Sequence, residues 1–179
     1  MNIAVAQSGG PTCAINASLL GIVKEALKSP EIDAIFGSVN GIEGIIKNEL
    51  VNLKDLVKTS EDMALLGQTP STVLGSCRYK LPTVEENEQI YKTITDCFDR
   101  HNIKAFFYIG GNDSMDTVNK LSAYYKKIGM DIKVIGVPKT IDNDLCETDH
   151  TPGFGSAAKY VASSCLEIAH DSYIYKVKS

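Results

Sequence analysis

Residues 104–114 read KAFFYIGGNDS, and this stretch decides the fold. Lys104 to Ile109 is a short run of β-prone, apolar residues. Gly110-Gly111 breaks it, and Met115 to Lys127 then carries apolar residues at helical spacing, with Asp113 suited to the first turn of that helix. The order is strand, glycine turn, helix. The same order opens the chain: Asn2 to Gln7 (NIAVAQ) is a strand, Ser8-Gly9-Gly10-Pro11 a turn, and Ala14 to Leu27 a helix.

Further elements extend the pattern. Ile32 to Val39 reads as a strand stopped by Asn40-Gly41, and 41–66 as short helices and turns. Gln68 to Leu81, rich in Ser, Thr, Gly and Pro and carrying Arg78 and Lys80, reads as a long exposed loop. Thr83-x-x-Glu86 after Pro82 has the form of a capping box, so a helix is expected from Thr83 to about Arg100. Ile132 to Val137 is a fourth strand. A polar loop follows to Pro152, then a helix from about Gly155 to Ala169, and Tyr173 to Val177 reads as the start of another strand. Strands alternating with helices place the chain in the α/β class: a Rossmann-like parallel sheet with helices on both faces, because right-handed crossovers put them there.

Size and composition set the limits. At 179 residues the chain is one domain by length, too short for a closed eight-fold βα barrel of about 250 residues. Its 44% hydrophobic and 22% charged content supports a packed core rather than a disordered or fibrous chain. Eighteen basic residues against 22 acidic ones give a net charge of −4, and the basic residues are spread out, which disfavours a nucleic-acid surface. No apolar run approaches a membrane span, and the segment after Met1 is too short and polar for a signal peptide, so a cytoplasmic protein with no membrane partner is expected. Five scattered cysteines fit reduced thiols, and His101, His150 and His170 are too dispersed to suggest a metal site.

In a parallel sheet the strand-to-helix turns leave from one edge, where ligands of open α/β sheets bind. The turns after strands one, three and four join glycines, or a lysine and a threonine, to acidic and amide side chains, which suits phosphate oxygens and a divalent metal. Taken singly, Gly110 to Ser114 reads equally well as an ordinary turn and helix cap, and Asp142 and Asp144 as turn-formers. Their coincidence at one edge is what points to a phosphate site. No Gly-Lys pair occurs, so there is no P-loop. The GxGxx[GA] match at Gly153 to Ala158 lies far from the preceding strand, and a helix start with small residues describes it better than a dinucleotide site.

Four segments, Ser8-Gly9-Gly10, Gly75-Ser76-Cys77-Arg78, Gly110 to Ser114, and Lys139-Thr140-Ile141-Asp142-Asn143-Asp144, resemble the phosphofructokinase signatures in order and spacing. The likeness covers essentially the whole chain. It implies the N-terminal domain of that family, with residues 1–179 binding the donor phosphate and a second, sugar-binding domain absent, so that the isolated piece turns over little or nothing. Family members transfer a phosphoryl group to the 1-hydroxyl of fructose 6-phosphate, a step of glycolysis.

By this resemblance Asp142 is the general base on the sugar hydroxyl, while Thr140 and Asp144 position sugar and phosphate. Arg78 neutralises the phosphoryl group in flight, its alternative being a solvated loop charge. Gly10, Gly111 and Ser114 hold donor phosphates, a plain turn being the alternative for Gly10. Members using ATP have glycine at the positions of Asp113 and Lys139, whereas members using pyrophosphate resemble this chain at both. A carboxylate at Asp113 about 4 Å from an α-phosphate repels it by roughly 1 to 4 kcal/mol, depending on the local dielectric. Lys139 supplies compensating positive charge.

Pyrophosphate is therefore the expected donor, with Mg²⁺ as cofactor and a homo-oligomer expected of the full-length protein. Asn112 stands where most members have a magnesium-associated aspartate; an amide oxygen lacks the charge, so a metal held by donor phosphates and water, or by Asp113, is an alternative. The other readings are an ATP-dependent phosphofructokinase, a non-catalytic nucleotide-binding module, and an NAD-dependent enzyme built on the Gly153 pattern.

Overall fold

The computed structural model describes residues 1–12 and 14–175. The elements in chain order are β1 (Asn2–Gln7), α1 (Ile15–Ala26), β2 (Ile35–Ser38), α2 (Ile42–Lys47), β3 (Leu50–Asn52), α3 (Leu53–Leu56), α4 (Ser60–Gln68), α5 (Glu88–Arg100), β4 (Ile103–Gly110), α6 (Asn112–Ile128), β5 (Lys133–Pro138) and α7 (Phe154–Tyr175). The chain divides into two compact units, Met1–Lys139 and Thr140–Ser179.

The first unit holds a five-stranded sheet in the order β3-β2-β1-β4-β5. β1 is central, pairing in parallel with β2 (Val5 opposite Gly37) and with β4 (Gln7 opposite Ile109). Its alternating side chains enter two separate cores. Ala4 and Ala6 meet the aromatic cluster of Tyr91, Phe98, Phe106, Tyr108 and Tyr125, built from α5, β4 and α6. Ile3 and Val5 face Ile15, Leu19 and Val23 of α1. A strand buried on both faces needs an unbroken apolar run, which is what NIAVAQ provides.

Four expectations need correction. The sheet is not wholly parallel, because β3 pairs antiparallel with β2 at one edge. The connection over residues 39–49 falls short of the dozen or more residues a parallel crossover requires, so the chain returns in the opposite sense. The helix expected at Thr83 starts at Glu88. The Thr83 N–H does donate to the Glu86 carboxylate (2.7 Å), but this closes a turn, and the Asn87 side chain caps the helix by accepting from the Ile90 N–H (3.3 Å).

The 68–81 segment is not a wholly exposed loop, since Leu74, Cys77 and Leu81 are buried. Finally, Tyr173–Tyr175 belong to α7 rather than to a strand: no Gly or Pro interrupts the sequence after Gly155, and an established helix gains one hydrogen bond per added residue. Lys176 and Val177, the remainder of that expected strand, lie outside the described residues.

Candidate functional site

The strand order reverses between β1 and β4: the chain moves from β1 outward through β2 to one edge, and from β4 to β5 at the other. A crevice forms at such a switch point beyond the carboxyl ends of the strands. Here it is a cleft of about 300 Å³ lined by Ser8, Gly9, Gly10, Cys77, Arg78, Tyr79, Gly111, Asn112, Asp113 and Ser114. A larger hollow of about 480 Å³ beside α3 and α4 is lined mainly by Leu and Val and offers little to bind phosphate.

Backbone geometry shapes the cleft. Gly9 has φ +77°, a left-handed conformation that turns the chain out of β1. Gly110 is required for space: a Cβ there would lie 2.1 Å from Ser114 Oγ. That close approach lets α6 begin directly after β4, with Gly111 at its cap and no side chain capping it. The first turn of α6 thus brings N–H groups and partial positive charge to the cleft wall. Ser114 is buried, and its N–H donates to the Gly111 carbonyl (3.0 Å).

Buried amides carry Arg78 into place. Gln7 Oε1 accepts from the Leu74 N–H (3.0 Å), and its Nε2 donates to Asn16 Oδ1 (2.8 Å). Asn16 Oδ1 also accepts from the Val73 N–H (3.1 Å), while its Nδ2 donates to the Thr69 carbonyl (2.8 Å). Nearer the cleft, the Cys77 carbonyl accepts from the Gly9 N–H (3.2 Å) and the Ser8 hydroxyl (3.1 Å), and Ser76 Oγ donates to the Gly9 carbonyl (2.5 Å). The 69–77 segment is therefore fastened to the end of β1 and to α1 through Gln7 and Asn16, and at its last residues to the glycine turn, and Arg78 follows directly.

The charges are arranged in two levels. Lys139, only 3% exposed, donates its ammonium to the Gly10 carbonyl, and its N–H donates to the Gly110 carbonyl (2.8 Å). At the rim Asp113 forms an ion pair with Lys80 (3.4 Å), both side chains mostly exposed. Below the cleft, burial pushes the Tyr108 hydroxyl well above the ordinary tyrosine value; it lies 3.8 Å from Cys77 Sγ. Burial, with Glu43 nearby, also raises Tyr79. Both tyrosines stay neutral at physiological pH.

The second unit carries Thr140, Asp142 and Asp144. The Asp142 N–H donates to Thr140 Oγ1 (3.0 Å). Asn143 holds the loop in shape at φ +54°: its Oδ1 accepts from the Thr151 N–H (2.9 Å) and its Nδ2 donates to the Asp149 carbonyl (3.2 Å). The Asp142 side chain is exposed.

Of the expected site residues, Gly10, Arg78, Gly111, Asn112, Asp113 and Ser114 share the cleft, and Lys139 touches its glycine turn. Thr140, Asp142 and Asp144 share one loop of the other unit. Sequence reasoning gave no role to Gln7, Asn16 or the partnership of Lys80 with Asp113; Ser76 and Asn143 stood within the signature segments, but without the bonding roles they hold here.

Among the described residues no three His, Cys, Asp or Glu side chains cluster as a metal site. Asn112 and Asp113 are adjacent hard oxygen donors on the cleft wall, a set that fits a magnesium ion held mainly by phosphate and water. No described helix is long and apolar enough to cross a membrane.

The family model described as phosphofructokinase matches residues 2–174. The chain belongs to the phosphofructokinase family. It is 43% identical over 171 residues to the pyrophosphate–fructose 6-phosphate 1-phosphotransferase of Methylococcus capsulatus, covering 95% of this chain and 40% of that one. Its identity to the protein of the same name from Xanthomonas campestris is 44% over 170 residues, with the same coverage. The crystal structure of the pyrophosphate-dependent phosphofructokinase from Nitrosospira multiformis superimposes with a TM-score of 0.90 at 41% identity, covering 99% of this chain and 43% of that one. The chain thus spans about two-fifths of the length of these phosphofructokinases.

Proposed function

We propose that this chain is the donor-phosphate-binding part of a phosphofructokinase that moves a phosphoryl group from pyrophosphate to the 1-hydroxyl of fructose 6-phosphate. The observation that carries this reading is the cleft itself, where two glycine turns, a helix N-terminus and Arg78 meet the Asp113 carboxylate in about 300 Å³, with the Lys139 ammonium bonded to the Gly10 carbonyl beside it. That volume is at the small end of ligand pockets, about 300–1,000 Å³, and suits a compact, highly charged donor. The names of the relatives at 43 and 44% identity support the same donor.

In this reading Gly10 and Gly111 present backbone N–H groups to the donor phosphates, with Ser114 beside them. Arg78, a planar guanidinium with paired donors, neutralises the phosphoryl group as it moves. Lys139 puts a buried positive charge beneath the Gly10 turn. Asp142 takes the proton of the sugar hydroxyl, a poor nucleophile at neutral pH until a carboxylate within hydrogen-bond reach removes it. Thr140 shapes the loop that presents Asp142, through its hydroxyl and the Asp142 N–H. Asp144 helps to orient the sugar. Asn112 and Asp113 would hold Mg²⁺, which when bound offsets the negative charge of the donor. In this reading the remainder of the sugar pocket comes from the three-fifths of the relatives' length that this chain does not span.

The test is phosphotransfer measured with the chain carried in a full-length phosphofructokinase. Asp142→Asn should lower kcat by about 10²-fold or more while leaving pyrophosphate affinity within about twofold. Full turnover by Asp142→Asn would remove the assigned base, and a clear preference for ATP in the unaltered enzyme would remove the assigned donor.

A further inference from the structure

Resting on the pyrophosphate reading above, we infer that Lys80 is a donor-binding cation of the cleft, held at its rim by Asp113 and transferred to the phosphates of a short diphosphate as it enters. The ammonium stands 3.4 Å from Asp113 Oδ1, and Asp113 lines the cleft. Pairs on the helix surfaces, such as Glu43–Lys47 and Glu88–Lys92, join residues one turn apart. Lys80–Asp113 instead bridges two segments across the mouth of a cleft.

This pair has little structural reason to exist. Its side chains are 76% and 65% exposed, and exposed pairs contribute little to stability. The same exposure makes the pair easy to break. A lysine ammonium on a flexible stem reaches a new partner by rotamer changes alone, unlike a planar guanidinium fixed in a bidentate contact. The other lysine of the site, Lys139, is buried and donates to the Gly10 carbonyl, so it acts from beneath the turn. Lys80 follows Arg78 by two residues on the segment fastened to Gly9, which keeps its backbone near the cleft.

The charges complete the inference. A carboxylate in the first turn of a helix is well placed for the helix dipole but repels an incoming anion. With Lys80 beside it, the rim of the cleft is neutral to an approaching anion. Once the donor arrives, the ammonium gains a partner of higher charge than one carboxylate. The effect should be largest for the most densely charged ligand, pyrophosphate, and smaller for inorganic phosphate.

The experiment is calorimetric titration of the 179-residue chain with pyrophosphate and with inorganic phosphate, each with Mg²⁺, at low and high salt. Lys80→Gln should bind pyrophosphate about fivefold more weakly at low salt, with a smaller loss for phosphate and a smaller loss at high salt. Lys80→Arg should retain affinity, and thermal unfolding should be unchanged in Lys80→Gln. Unaltered pyrophosphate affinity in Lys80→Gln, or a loss that does not depend on salt, would overturn the role of Lys80. Absence of pyrophosphate binding by the unaltered chain would overturn the donor reading instead.

Discussion

Lys139, just past the end of β5, donates its ammonium to the carbonyl of Gly10, 129 residues earlier in the sequence. Strand β4 lies between β1 and β5 in the sheet, so this contact reaches over the end of β4 to join two strands that do not pair. It fixes the glycine turn from below while leaving a positive charge beneath it. Lys139→Ala should lower the free energy of unfolding by about 1.5–3 kcal/mol, the usual range for a hydrogen bond to a charged group. Lys139→Met, which keeps the stem but not the bond, should regain only the packing lost in Lys139→Ala and none of the affinity for pyrophosphate. Denaturant unfolding and calorimetry on the two variants separate packing from charge.

Asn16 makes the second long-range tie. Its side chain accepts from Gln7 and Val73 and donates to Thr69, all within or against the segment that leads to Arg78. Asn16→Ala should cost about 1–3 kcal/mol for each buried group left unsatisfied and should weaken pyrophosphate binding without touching the ligand. Hydrogen exchange should show faster exchange at the Val73 and Leu74 amides. Unchanged protection there would mean that Asn16 does not anchor the segment.

Gly110 is a steric requirement rather than a conformational one. A Cβ would meet Ser114 Oγ at 2.1 Å and Ser114 Cβ at 2.6 Å. Gly110→Ala should therefore destabilise by about 1–3 kcal/mol, as overpacked sites do. Adding Ser114→Gly should recover part of that loss by removing both clashing atoms. Thermal melts of the single and double variants check it, and an equal or larger loss in the double variant would locate the strain elsewhere.

Besides Tyr79, three of the eight tyrosines should titrate late. Burial pushes Tyr91 up to about 12 from its ordinary 10.0, and raises Tyr108 and Tyr125 further in the same direction. A raised tyrosine pKa means that the folded state keeps protons which the unfolded chain releases. This contribution to stability is intact below pH 10.0 and falls as pH rises through about 12. Alkaline titration followed by phenolate absorbance should show these groups ionising only as the fold is lost. Full ionisation near pH 10 in the folded chain would show that the three rings are not buried.

The sheet was readable from sequence where a strand carries its own signal. NIAVAQ and KAFFYI are apolar runs ended by glycine pairs, and both strands lie within a residue of their expected bounds. β3 has only three half-buried residues, too few for any periodicity, and its existence depends on β2 offering an edge. Thr83-x-x-Glu86 formed its local bond, yet Asn87 supplied the cap actually used. Much of the cleft was legible because the glycines and Asp113 sit in short turns beside strands. Ser76, Asn16 and the Lys80–Asp113 pair were not, because each contact joins segments more than thirty residues apart that meet only once the chain is folded.

The cleft itself is tested most directly by mapping amide chemical shifts of the chain as pyrophosphate and Mg²⁺ are added. The largest changes should fall on Gly9, Gly10, Gly111 and Asn112 and on the Arg78 side chain, and Arg78→Ala should weaken the interaction by about tenfold or more, as loss of a charge-assisted phosphate contact does. Changes confined to the Leu-lined hollow beside α3 and α4, with these glycine amides unmoved at saturating pyrophosphate, would contradict the placement of the donor.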